Sequence, residues 1–542
     1  MQNFGALNWS IVIAYLIANL LLGYFMSRRV KTSQDYYLGD RSAPWWAIGI
    51  SVVATYVSAL SFLGGPAWAY GDGMAALAIH VNYPLVIFAV IVFFLPFFFN
   101  SGVASIYEYL ERRFGKTSRT VMSSLFLLTQ SITAASILTA TAVVVTFVTG
   151  IDPKIAIVLM TAIVLVYTLM GGMNAVIWTD VLQGIILFLG AGIILYNLLG
   201  AVSPLSSAFD TLSETGKLNP INADFDFSVA PTIWAGVFAM TLFHITVYGA
   251  NQMMVQRALA AKNIGDAKKS YLLMGFAAFF IYFLFFFIGA LLFVHFKGDP
   301  FEQPNEIILV FARSLALPGL MGILAAAVLS ASMSSLSSAF NSLATISVTD
   351  MYQEFFNKDA SEKHYLNASR LFTIIWGLLV IPMAFAFVSS KGSILETLTA
   401  VASYFVGAKL AMFGMGFFSK HVTQRGLLIG VAAGFIGIYI FKLGIPFTDW
   451  TPPTIAWPWF VVIGGAINIV VSWVASVLLD GFKKEWHPQS VPGQIKEYRD
   501  SGKAEKDGGW YVVPGKVDKI AWALPVFFVF TIAFLAWFGT MR

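Results

Sequence analysis

Ala331-Ser332-Met333-Ser334-Ser335-Leu336-Ser337-Ser338-Ala339-Phe340 is the stretch on which the reading of this chain turns. It sets five serines inside a long apolar run, in a protein that is 58% hydrophobic and 11% charged. A hydroxyl in hydrocarbon must find a partner, because an unsatisfied polar group there costs several kcal/mol. At helical spacing Ser334, Ser335, Ser337 and Ser338 span little more than one turn, with Ala331 one turn earlier on the same face. Such a face carries hydroxyl and carbonyl oxygens at short range, the ligand type that suits a small hard cation. The other reading is that small residues simply let two helices approach closely.

The rest of the chain supplies the solvent for that helix. A mean hydropathy of +0.76 with 49 Phe in 542 residues excludes a soluble globular domain, so the bilayer is the reference medium. There is no cysteine, which removes disulfides, thiolate metal sites and a cysteine nucleophile. Residues 1–7 carry no Lys or Arg, so the first apolar run reads as a retained helix rather than a cleavable signal. Fourteen apolar segments are expected, at about 8–26, 46–71, 74–99, 120–149, 153–171, 180–202, 229–257, 271–296, 305–348, 368–389, 395–418, 424–443, 455–480 and 518–540. The fold class is therefore an all-α integral membrane protein of about fourteen transmembrane helices.

The basic residues test this count. Arg28, Arg29, Lys31 and Arg41 fall in one loop; Arg112, Arg113 and Lys116 in a second; Arg257, Lys262, Lys268 and Lys269 in a third. Lys358, Lys363, Lys420, Arg425 and the run from Lys483 to Lys519 follow. If the segments alternate, one side collects about 25 of the 33 positive charges, while loops 203–228 and 444–454 are nearly bare. The basic side is then cytoplasmic and both termini are extracytoplasmic. No hydrophilic segment is long enough for a separate soluble domain; the largest, about 481–517, reads as a charged cytoplasmic linker.

Two segments look interrupted. The second contains Ser58-Ala59-Leu60-Ser61-Phe62-Leu63-Gly64-Gly65-Pro66, and the seventh contains Val247-Tyr248-Gly249-Ala250-Asn251-Gln252. Paired glycines with a proline, and a glycine beside hydrogen-bonding side chains, weaken the helical ladder. The breaks lie five segments apart, so they enter the membrane from opposite sides. That is the pattern of an inverted-repeat transporter, whose unwound backbone offers carbonyls to a cation and helix ends to a solute.

Ala54-Thr55-Tyr56-Val57-Ser58-Ala59-Leu60-Ser61, Gly172-Met173-Asn174-Ala175-Val176-Ile177-Trp178-Thr179-Asp180-Val181-Leu182-Gln183 and Asn251-Gln252-Met253-Met254-Val255-Gln256-Arg257-Ala258-Leu259, taken with the serine-rich segment, resemble the sodium/solute symporter family. This is the family of sodium–glucose, sodium–iodide, sodium–monocarboxylate and bacterial sialic acid and proline carriers. The resemblance runs from the first segment to about residue 445. It implies a LeuT-like core of five helices repeated upside down with discontinuous helices. The first helix and loop would occupy 1–45, the core 46–418 (repeats about 46–202 and 229–418), and peripheral helices with the 481–517 linker 419–542. It further implies a sodium site built from the carbonyls of Ala54, Val57 and Ala331 and the hydroxyls of Ser334 and Ser335. Some members bind a second sodium, and the matching residues Ser337, Ser338 and Asp180 are present. Asp180 has another explanation, as an acidic residue opening a helix at the cytoplasmic boundary.

The solute is where this chain departs from the family members compared. The positions that hold sugar hydroxyls in the galactose type match Leu60, His80 and Tyr56, and the arginine that pairs with sialic acid's carboxylate is replaced by Thr133. The bidentate clamp of an arginine is thereby lost. The Tyr248-Gly249-x-Asn251-Gln252 stretch leans toward the monocarboxylate, iodide and vitamin branch. Tyr56, Ser58, Ser61, His80, Thr133, Tyr248, Asn251 and Gln252 are the expected solute shell. His80 can donate and accept toward a solute, or be satisfied by neighbouring backbone. Lys409, alone among the cations deep in the bilayer, serves function, snorkels or pairs with a structural carbonyl.

The expected activity is sodium-coupled symport of a small polar organic solute of the sugar, sialic acid or monocarboxylate type, by alternating access in the inner or plasma membrane. A proton-coupled carrier and a transporter-like sensor are the alternatives. An enzyme is not expected, since no nucleophile, carboxylate pair or metal-ligand set converges. The implied partners are a small-molecule solute, sodium and the lipid bilayer, with no nucleic acid.

Overall fold

The computed structural model describes residues 4–27, 32–39, 41–103, 105–388, 393–445, 448 and 450–541. Arg28, Arg29 and Lys31 of the first basic loop lie outside the described residues. In hydrocarbon only a helix satisfies every backbone group within its own segment, and helix covers each of the fourteen expected apolar segments. The helices used below are α1 (Ala6–Ser27), α2 (Trp45–Tyr56), α3 (Gly65–Asp72), α4 (Tyr83–Ala89), α5 (Leu95–Ser101), α6 (Lys116–Thr149), α7 (Pro153–Ala201), α8 (Met240–Gly249), α9 (Gln252–Leu259) and α10 (Ile264–His295). They continue with α11 (Leu320–Ile346), α12 (Glu362–Phe387), α13 (Ile394–Phe418), α14 (Gln424–Leu443), α15 (Trp459–Asp480) and α16 (Ala523–Phe538). By length and composition, 11 stretches among the described residues qualify as crossings, with shorter apolar helices at Trp45–Tyr56, Pro153–Val166 and Ala235–Gly249.

The serine-rich α11 is the axis of the molecule: every residue from Leu324 to Ile346 is buried. It packs against α1, α2, α6, α7 and α12. Helices α1, α12 and α16 instead turn much of their apolar surface outward, as lipid-facing helices do. Where backbones meet, side chains are small. A Cβ at Gly236 would lie 1.9 Å from the Ala78 carbonyl oxygen, a contact only glycine allows.

Both expected interruptions are present, and the first lies earlier than the glycine–proline cluster. Helix α2 ends at Tyr56, Val57 takes φ −81°, ψ 88°, and helix resumes through Leu60–Gly64 into α3. Gly64, Gly65 and Pro66 are helical; proline sits at the second position of α3, directly after the wider π-helical turn Leu60–Gly64. The second break falls at Ala250–Asn251, between α8 and α9. The two are repaired alike. Ser58 Oγ accepts from Leu60 N at 3.2 Å, and Asn251 Oδ1 accepts from Met253 N at 3.0 Å. A third departure is Gly172 within α7, whose φ of 54° and ψ of −156° divide that helix in two.

The 481–517 segment differs from the expected plain linker. It forms a helix, Val491–Ser501, and a small antiparallel pair, Lys506–Asp507 with Trp510–Tyr511. Lys268 Nζ reaches Asp518 Oδ2 at 2.6 Å and the Tyr511 carbonyl at 2.8 Å, and Gly515 N donates to the Val92 carbonyl at 2.9 Å. Backbone bonds thus tie the segment to the membrane helices, while its own Lys503 and Lys516 pair within it, with Glu497 and Glu505.

Candidate functional site

The break in α2 leaves carbonyls without their helical donors. The amide of Val57 still bonds Val53 O, but Ser61 N and Phe62 N turn to Ser58 O. Among the described residues no backbone amide from beyond the break bonds the carbonyls of Ala54 or Val57. Across from them, Ser335 Oγ donates to Thr55 O at 2.7 Å, which ties α11 to the break. Ser334 Oγ donates to Asp180 Oδ1 at 2.5 Å. Two freed carbonyls, the Ala331 carbonyl and two hydroxyls with lone pairs to spare form a neutral, all-oxygen set compatible with a monovalent hard cation.

Asp180 does not open a helix. It lies eight residues past the Gly172 kink, inside α7, and is fully buried; the expected capping role is thereby overturned. Its carboxylate accepts from Ser334, from Ser51 Oγ at 2.5 Å and from Thr55 Oγ1 at 3.2 Å. Its counter-ion is Arg257, whose Nη2 stands 3.2 Å away. Arg257 therefore does not belong to a basic loop. It sits on α9, with no exposed side-chain surface, and also bonds Ser51 Oγ, Met253 O and Ser338 Oγ. An uncompensated carboxylate at this depth would be prohibitive, and the guanidinium is what permits it. Ser337 Oγ and Ser338 Oγ both turn back to Ser334 O, at 3.0 and 2.7 Å.

Beside the break lies a cavity of about 140 Å³, roughly ten times what one water needs. Tyr56, Ser58, Ser61, His80, Thr133 and Asn251 line it, as does Ser335. Tyr248 and Gln252 do not. Tyr248 is wholly buried, its ring packed 5.2 Å from that of Tyr56. Gln252 Oε1 accepts from Ile106 N at 3.0 Å, so that amide is a tie between α9 and the loop before Glu108. Both side chains are buried behind the residues that line the cavity.

His80 stacks on Tyr282, with centroids 3.8 Å apart and rings 7° from parallel. Its Nδ1 is 3.0 Å from Tyr83 OH, which stands 3.4 Å from His244 Nε2; His244 Nδ1 is 2.7 Å from Asn82 Oδ1. The other nitrogen, His80 Nε2, has no partner among the described residues. Tyr282, Tyr83, His244 and Asn82 were not legible from spacing, since aromatic residues recur throughout the sequence. A signal for Arg257 did exist: an intramembrane carboxylate demands a cation.

The model of the sodium:solute symporter family matches residues 36–434. The chain belongs to this family. It is 30% identical over 455 residues to a sodium/sialic acid symporter of Proteus mirabilis, covering 82% of this chain and 91% of that one. It is 27% identical over 471 residues to a sodium/glucose cotransporter of Vibrio parahaemolyticus, covering 81% and 86%. A solved structure of a Na+-coupled sialic acid symporter, substrate-bound and outward-open, superposes with a TM-score of 0.80 at 27% identity, covering 89% of this chain and all of the other. The symporter thus has the LeuT-like inverted-repeat fold with discontinuous helices, and is a multi-pass membrane transporter rather than an enzyme.

Proposed function

We propose that this sodium-coupled symporter binds its ion at Ala54, Val57, Ala331, Ser334 and Ser335, and its solute in the adjoining cavity. The observation that carries the assignment is the place of Ser335, which bonds the broken helix at Thr55 O and also lines the cavity. An ion held there touches α2, α11 and the wall of the solute site together. Coupling then follows from differential affinity: the ion stabilises the arrangement in which the broken helix presents Tyr56, Ser58 and Ser61 to solute. Release of either ligand loosens the site for the other.

Tyr56, Ser58, Ser61, His80, Thr133 and Asn251 form the polar lining on this reading, with the apolar face of α13 opposite. The solute is small, polar and organic, of the sugar, sialic acid or monocarboxylate kind that the relatives carry. A second sodium at Asp180, Ser337 and Ser338 would share its cleft with the Arg257 guanidinium, which already supplies that positive charge; one sodium per cycle is the favoured stoichiometry. The repeats span about 46–202 and 229–418, with 1–45 and 419–542 as peripheral parts. The protein sits in the inner or plasma membrane, its basic loops cytoplasmic and both termini outside.

Reconstitution in liposomes tests this. Labelled sugars, monocarboxylates, amino acids and sialic acid are offered with an inward sodium gradient and without one. Sodium-dependent uptake of one class is expected. Equal uptake driven by a proton gradient without sodium would overturn the ion assignment.

A further inference from the structure

Lys409 lines the solute cavity from α13, and no carboxylate among the described residues meets it. It is 7% exposed, lines the cavity, and has no ion pair or side-chain hydrogen bond among the described residues. Among the described residues no Asp or Glu lines that cavity. Of the other buried cations, Arg257, Arg119 and Lys268 are paired with Asp180, Asp350 and Asp518, and Arg113 donates to the carbonyls of Gly416 and Ser419. A buried ammonium left without a counter-ion is costly, and a protein retains one where a ligand supplies the charge. Snorkelling does not relieve it, because Lys409 lies nine residues before the end of α13 at Phe418, about 13 Å along the axis.

Resting on the sodium-symport reading and deepening it, we propose that Lys409 anchors the carboxylate of a small organic monoanion. One cation balances one negative charge, so a dianionic phosphate would be left under-compensated in so dry a site. Hydrogen-bond donors sit in the same cavity. Asn251 spends its side-chain oxygen on Met253 N, leaving its amide hydrogens free, and Gln130 Nε2 finds only the Met253 sulfur, at 3.5 Å. Either amide can complete the solvation of a carboxylate that Lys409 holds.

The remainder of the cavity fixes what the anion carries behind its carboxylate. Leu395, Leu398, Ala402, Phe405 and Val406 form an apolar strip along α13 that leads to Lys409. Opposite are His80, with its unpartnered Nε2, and the hydroxyls of Ser58 and Ser61. The solute is therefore an organic acid with one apolar edge and at least one hydroxyl or similar group for the His80 side. Thr133, whose hydroxyl is turned back onto Thr129 O at 2.9 Å, offers no charge. The anion is thus read from α13 rather than from α6.

Binding to the purified full-length protein in sodium chloride tests the assignment with matched pairs: N-acetylneuraminate and its methyl ester, D-glucuronate and D-glucose, L-lactate and lactamide. At least one acid is expected to bind about 30-fold or more tightly than its neutral partner. Lys409→Gln, with Lys409→Met as a second variant, is expected to abolish that preference while leaving the sodium-induced rise in melting temperature unchanged. A neutral solute bound as well as its acid, failure of all three acids to bind, or retention of the preference by the variants would overturn the role of Lys409. Failure of sodium to stabilise the wild-type protein would instead overturn the symport reading on which it rests.

Discussion

Replacing Arg257 by Met strands a carboxylate in the centre of the molecule, and the cost can be worked from the contacts it leaves. Asp180 would keep three hydroxyl donors, Ser334 and Ser51 at 2.5 Å and Thr55 at 3.2 Å, and lose the cation paired with it. At an effective dielectric near 20, two charges about 4 Å apart attract by about 4 kcal/mol, and breaking such a buried pair from one side costs about 3–5 kcal/mol. Asp180→Asn should cost a similar amount, because Arg257 would then sit uncompensated with Ser51, Met253 O and Ser338 as its acceptors. The double variant removes both charges and with them both desolvation penalties, so its loss should be about 0–2 kcal/mol, a pattern far from additive. Thermal unfolding of the four proteins in lipid nanodiscs, at one scan rate, reads this directly. A double variant that loses the sum of the two single losses would refute the pairing.

Ser335→Ala removes one of five proposed sodium oxygens and the bond to Thr55 O; sodium for half-maximal uptake should rise about tenfold with folding nearly intact. An unchanged sodium curve would exclude Ser335 from the ion site. His80→Ala takes away a cavity-lining ring whose Nε2 has no partner among the described residues, and solute affinity should fall about tenfold while sodium affinity moves little; the reverse order would place His80 outside the solute shell. Gly236→Ala forces a Cβ to 1.9 Å from the Ala78 carbonyl, backbone that cannot step aside. About 2–3 kcal/mol of stability should be lost, visible as a lower melting temperature, and a variant as stable as wild type would show that the two segments pack less closely than described.

Much of this was written in local pattern. The apolar segments, the two interruptions five segments apart and the serine-rich axis follow from hydropathy and composition, because in hydrocarbon a backbone has few alternatives to helix. The residues around each break were legible for the same reason: Ser58 and Asn251 are polar groups in apolar runs, and both turn out to mend the helix they interrupt. Where spacing misled, the cause was distance along the chain. Gly64, Gly65 and Pro66 are conspicuous in sequence yet helical, while the departure comes at Val57, where nothing in composition marks it.

The sequence by itself determined that this chain is a helical membrane carrier and which helices carry oxygen where lipid would not tolerate it. It could not determine which of those groups spend their bonds on each other. Asp180 and Arg257 are 77 residues apart, as are no two partners that a helical repeat can relate, and each alone reads as a boundary residue. Only the packing of α7 and α9 against α2 and α11 shows that they neutralise one another, and that Lys409, which lines the cavity, has no such partner among the described residues. The physical reason is that burial and compensation belong to the space between helices, whereas hydropathy belongs to each helix alone.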